Sequence, residues 1–206
     1  MKDSLKKLDT TLKTDTIITL ALSIIIAVFV IINAVDVIMC LSKDQSAFQI
    51  KLTDTGVNHS QEYCLYIDGK KSDSIDYNDY ALYTFDGETN YKAATIINKI
   101  QNICNLIIVD IILILLFRLF TVVKNGKTPF VKTSVTFLRA IACFCIALAV
   151  LSPIIGFCAR FITFGYAVGS LETINFYIII TGCVFLMIAE IFNYGIILQE
   201  DSDSIA

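Results

Sequence analysis

Four long apolar blocks constrain this chain more than any other feature. They run over residues 16–41, 102–123, 136–158 and 174–198. A hydrocarbon core about 30 Å thick takes about 20 apolar helical residues to cross, and each block is long enough. Lipid offers no partner for an exposed backbone N–H or C=O, so each block must be helical. Apolar residues make up 56 % of the 206, against roughly 45–50 % in a soluble domain, and the excess falls in these blocks. The sequence predicts an all-α membrane protein: four transmembrane helices, with a small extracytoplasmic β-rich insertion between helices 1 and 2. The first block outruns the roughly 7–15 apolar residues of a cleaved signal and lacks a small-residue cleavage site, so it reads as an uncleaved anchor.

Lysine and arginine near the helix ends set the orientation. Residues 1–15 carry Lys2, Lys6, Lys7 and Lys13, and the link 124–135 carries Lys124, Lys127 and Lys132. These two regions lie on one side of a four-span chain, while the link 159–173 has only Arg160. Both termini are therefore expected on the cytoplasmic side of the plasma membrane, with residues 199–206 as an acidic cytoplasmic tail. The link 124–135 reads as a basic cytoplasmic turn. Gly126 suits the position that ends a helix, Thr128 a cap and Pro129 a first helical turn, with helix running from Pro129 through Phe137.

Residues 42–92 change character and are acidic. The runs Phe48-Gln49-Ile50-Lys51-Leu52-Thr53, Glu62-Tyr63-Cys64-Leu65-Tyr66-Ile67 and Tyr80-Ala81-Leu82-Tyr83-Thr84-Phe85 alternate as half-buried strands do. Asp68-Gly69 and Asp86-Gly87 are turn signals. A small antiparallel sheet of three or four strands is expected, too small for a robust core of its own. From Tyr91 the pattern becomes helical and enters the second span, residues 93–123.

Charges inside lipid are expensive and stand as functional candidates. At a rise of about 1.5 Å per residue, Arg118 and Glu190 both fall about 24 Å from the outer ends of their blocks. That level predicts an Arg118–Glu190 ion pair, fixing helix register rather than performing chemistry; the plainer reading is that each snorkels alone. Asp36, Asp110 and Arg160 lie in the outer half and could form a polar cluster able to bind a cation or sense a ligand. The plainer reading is a shared proton or hydrogen bonds to neighbouring helices. Pro153 should free the Ala149 carbonyl and bend the third span.

The seven cysteines, Cys40, Cys64, Cys104, Cys143, Cys145, Cys158 and Cys183, read first as small packing residues; a Cys40–Cys104 disulfide is geometrically allowed. His59 is the sole histidine, which excludes a His-rich metal site. No cofactor is implied. A net charge of −3 gives no basic surface for direct nucleic-acid binding. No phosphate-binding loop, nucleophile elbow, zincin or dinucleotide motif occurs, so no constellation points to an enzyme.

Two stretches carry a family likeness. Phe117-Arg118, then Asn125-Gly126-Lys127-Thr128-Pro129-Phe130, then Leu138-Arg139 form the first. Ile188-Ala189-Glu190-Ile191-Phe192-Asn193-Tyr194-Gly195, followed by Leu198-Gln199-Glu200-Asp201, forms the second. Together they resemble the bacterial membrane family catalogued as domain of unknown function 2975, over residues 102–206. Thr128 departs from the Gly-Lys-Pro-Phe run usual in that family, and the outside domain matches nothing in it. The resemblance implies a four-helix protein of unassigned role. Its members are often encoded beside small helix-turn-helix regulators, which makes such a regulator an expected cytoplasmic partner. A signalling or regulatory component heads the functional readings, with the basic turn and the acidic tail as its inner surface. Behind it stand a subunit of a homo-oligomeric transporter or channel and an immunity-type protective membrane protein.

Overall fold

The computed structural model of the chain describes residues 2–54, 61–75, 77–80, 88–125, 130–165 and 175–205. Four long helices dominate: α1 (Lys2–Ser42), α3 (Tyr91–Asn125), α4 (Lys132–Phe164) and α5 (Phe176–Ile205), each with a stretch long and apolar enough to cross a membrane. Between α1 and α3 come a 3-10 turn (Gln45–Ala47), strands β1 (Phe48–Asp54), β2 (Gln61–Ile67) and β3 (Lys70–Ile75), and a single helical turn, α2 (Tyr77–Tyr80). The mostly helical architecture with a small sheet inserted between the first two long helices is the one expected. The chain divides into two compact units. The first comprises residues 1–30, 105–151 and 175–206; the second comprises residues 31–104 and 152–174.

The first unit is packed through apolar and small side chains. On α4, Val135, Leu138, Ile141, Ala142, Cys145 and Ala149 are buried at the three- and four-residue spacing that lines one helix face. On α5 the inward positions Gly182, Ala189 and Ile196 recur every seven residues. A Cβ at Gly182 would lie 2.9 Å from Ile146 Cγ1 and 3.1 Å from the Ala142 carbonyl oxygen, so the two helices approach closely there. Close approach through small residues is how helices associate in lipid, where apolar surface alone gives no drive to pair. Leu119 of α3 completes the buried cluster, with Ile112, Leu115, Phe185 and Phe192 packed around it.

The second unit holds the sheet. Its order is β1-β2-β3, antiparallel throughout, with Phe48 opposite Ile67 and Leu52 opposite Tyr63. The β2–β3 hairpin turns on Asp68 (φ 52°) and Gly69 (φ 74°). Two central residues with positive φ make the turn whose twist matches that of the strands, and Asp-Gly is a preferred pair for it. Phe48, Cys64 and Leu65 are buried. A second apolar cluster joins Ala94 and Phe164, flanked by Tyr80, Ala93 and Ile97. Asn90 caps α3, its side-chain oxygen accepting from the Ala93 N–H at 2.9 Å.

The sheet differs from the alternation pattern in its third strand. Tyr80 ends a helical turn, and residues 81–85 of the expected strand lie outside the described residues. The third strand is Lys70–Ile75, whose side chains are exposed at five of six positions. It has no apolar face to advertise; the hairpin turn and pairing with β2 impose its conformation. α4 begins at Lys132 rather than at Pro129. Phe130 and Val131 precede it, and the Val131 carbonyl accepts the first helical bond from Ser134 N at 2.9 Å.

Candidate functional site

The two stretches that carry the family likeness meet where α4 starts and α5 ends, within the first unit. Phe130, just before α4, sets its ring edge-on to Phe192 with centroids 5.4 Å apart. The same ring covers Gly195, where a Cβ would lie only 2.6 Å from Phe130 Cδ1. Glycine is thus needed at 195 for this approach, since any side chain would displace the ring. Beside it opens a pocket of about 380 Å³. Val131 and Ile196 give it apolar walls, and Lys132, Gln199, Glu200 and Asp203 give it a polar rim. Lys132 Nζ lies 3.3 Å from Glu200 Oε1, an exposed pair.

Further along the same helix pair, Arg139 grips Glu190. Nη2 and Nε both donate to Oε1, at 2.7 and 3.2 Å. This corrects the expected Arg118–Glu190 pair. Depth along the helix axis fixed the level of Glu190, but helix face decides the partner. The antiparallel packing of α4 on α5 through Gly182 and Ala189 turns Arg139 toward it, while Arg118 on α3 is exposed.

Each member of the expected polar cluster has a separate partner. Asp110 accepts from Ser23 Oγ at 2.6 Å in the first unit. In the second unit Asp36 lies 3.4 Å from Lys99 Nζ, and Arg160 Nη2 donates to Asn98 Oδ1 at 2.7 Å. Each of the three therefore meets a side chain of a neighbouring helix, Ser23, Lys99 and Asn98 in turn. Gln101 reaches the turn at Pro153, donating to the Ser152 carbonyl at 3.2 Å. Ser23, Asn98, Lys99 and Gln101, which supply these contacts, are not among the expected site residues. Their signal was available: each is a polar residue within or bordering an apolar helical run, where an unpartnered polar group is costly.

Of the expected basic surface, Lys124 is exposed in the last turn of α3 and Lys132 is paired with the tail. Lys127, with Gly126, Thr128 and Pro129, lies outside the described residues, as does His59. The surface is therefore of mixed charge. The seven cysteines are free thiols, so Cys40 and Cys104 are not bridged. Cys64 is fully buried in the sheet, the packing role expected of a small apolar side chain.

A family model described as a protein of unknown function (DUF2975) matches residues 86–205. No curated protein and no solved structure matches the chain. The matched segment contains every residue of the α4–α5 pocket and of the Arg139–Glu190 pair.

Proposed function

The chain belongs to the DUF2975 family of proteins of unknown function, and from that premise we propose that it is a multi-pass membrane protein with a regulatory role, whose cytoplasmic surface holds a soluble partner. The observation that carries this reading is the pocket of Phe130, Val131, Lys132, Ile196, Glu200 and Asp203. Two short stretches, far apart in sequence, build it together.

The chemistry of the pocket selects the partner. An apolar floor with two carboxylates against one lysine suits an amphipathic helix that presents basic residues beside apolar anchors. A small helix-turn-helix regulator, basic because it binds phosphates, has that character. The lysine bias of residues 1–15 and 124–135 supports a cytoplasmic placement of this pocket.

A cross-linked pull-down of the tagged full chain from its native membranes tests the reading. The wild type should recover a small basic soluble protein. The charge-reversed E200K/D203K variant should reach the membrane and lose that partner. Recovery of the same proteins by both forms would reject the pocket as the partner site. A tag after Ala206 that protease removes from outside intact cells would reject the cytoplasmic placement.

A further inference from the structure

A second cavity, of about 220 Å³, lies in the second unit between the end of α1 and the β2–β3 hairpin. Lys43, Lys70, Lys71 and Lys99 line it against a single acid, Asp36, while Met39 and Ile67 supply apolar wall. Four ammonium groups around one cavity stand out because the segment that builds most of it is acidic. Two of the four are already engaged. Lys43 Nζ lies 2.6 Å from Asp68, and Lys99 Nζ lies 3.4 Å from Asp36. Lys70 and Lys71 are exposed and make no ion pair among the described residues. Two of its lysines thus carry charges that no carboxylate among the described residues pairs with.

A further lysine prepares the site. The last carbonyls of a helix carry partial negative charge and would repel an anion. Lys92 Nζ covers them here, donating to the Leu41 carbonyl at 3.0 Å and to the Lys43 carbonyl at 2.5 Å. The end of α1 is in this way both fixed and neutralised beside the lysine cluster.

We propose that this cavity binds a phosphate group, carried by an anionic phospholipid headgroup or free in solution. Lysine recognises phosphate as a point charge, without the planar fork of arginine, so a loose ring of ammoniums suits a phosphate diester in several orientations. The apolar wall favours the lipid. Met39 belongs to the apolar stretch Thr10–Ser42, and a helix end of that kind falls where headgroup phosphates lie. Apart from Lys99, the lining residues, from the end of α1 and the β2–β3 hairpin, precede the segment matched by the family, and none of them lines the α4–α5 pocket.

The test uses the full chain purified in neutral detergent. Retention of phosphatidylglycerol and of phosphatidylcholine is read by native mass spectrometry, and binding of inorganic phosphate by calorimetric titration. The wild type should retain phosphatidylglycerol over phosphatidylcholine. K70Q/K71Q, which removes two charge-assisted contacts on exposed side chains, should weaken that retention about tenfold. K71Q alone should fall between the two. Lys51→Gln, on the sheet but outside the cavity, should leave retention unchanged. Inorganic phosphate bound equally well, and lost in K70Q/K71Q, would make free phosphate the ligand. The proposal is overturned by wild-type binding of neither probe, by binding that K70Q/K71Q leaves intact, or by an equal loss in Lys51→Gln.

Discussion

The two units of this chain are held by different forces. In the first, helices meet through buried Leu119, Val135, Leu138, Ile141, Ala142, Cys145, Ala189 and Ile196, with Gly182 letting α4 and α5 close on each other. In the second, the buried apolar cluster at the helices shrinks to Ala94 and Phe164, and polar contacts join the elements. Arg160 binds Asn98, Gln101 binds Ser152, Lys99 meets Asp36, and Lys92 ties down the end of α1. The difference follows from what each packing mode can supply. Small and apolar residues give dense contact along parallel stretches of helix but carry little directional information. Hydrogen bonds fix angles and distances where a small sheet has too little apolar surface to do so.

The contrast predicts opposite sensitivities. Asn98→Leu keeps side-chain volume but leaves the buried Arg160 guanidinium one acceptor short. Removing the partner of a buried charged donor should cost about 3 kcal/mol, the largest loss expected here. It is measured by thermal unfolding of the full chain in detergent. Ile141→Ala opens a hole in the α4 face of the first unit and should cost about 2 kcal/mol. That is the low end for a buried aliphatic truncation, because lipid or detergent in place of water removes most of the transfer term and leaves only lost packing. An Ile141→Ala loss exceeding that of Asn98→Leu would show that dense packing dominates in both units, and the comparison would fail.

The same contrast explains what could be read from the sequence. The helices were legible because bilayer thickness imposes a length on apolar runs, and the helical pattern from Tyr91 marks the start of α3. β1, β2 and the Asp68-Gly69 turn were legible because alternation and turn chemistry are local. β3 was not, since Lys70, Lys71, Ser72, Asp73 and Ser74 carry no apolar face. Its partner strand holds the information. The candidate site was legible in part. The motif residues stand out in the sequence, and Glu190 does meet an arginine, though Arg139 and not the expected Arg118. Which arginine depends on helix rotation: Arg118 and Arg139 offer the same charge at a comparable level, and only the contact of Gly182 with Ala142 and Ile146 chooses between them. The lysine cavity was illegible because Lys43, Lys70 and Lys71 are scattered through an acidic segment, Lys99 lies on the helix after it, and the four converge only on folding.

The Arg139–Glu190 pair tests that choice of face. Its side chains are about half exposed, so the ion pair should contribute under about 1 kcal/mol. Glu190→Gln should lower stability by that amount. Arg139→Gln added to it should cost little more, while Arg118→Gln should behave independently of Glu190. Strong coupling between Arg118 and Glu190 in such a double-mutant cycle would restore the depth-based pairing and reject the helix rotation described for α4.

The smallest effect expected comes from a polar contact placed inside the apolar unit. Ser23 of α1 engages Asp110 across 2.6 Å, while most of the large apolar side chains of α1 face outward. Interhelical hydrogen bonds between membrane helices average about 0.6 kcal/mol and reach about 1.7, because groups separated in lipid still find other partners. Ser23→Ala should therefore cost about 0.6 kcal/mol in thermal unfolding, and Asp110→Asn, which keeps an oxygen acceptor for the serine hydroxyl, should cost less. Its structural consequence should exceed its energy. With so little of α1 packed, this bond sets how α1 is rotated against α3, and cysteine cross-linking between the two helices should lose its selectivity in Ser23→Ala. Selectivity kept in full would mean that Thr19 and the apolar contacts orient α1 unaided, so that the first unit is governed by packing alone.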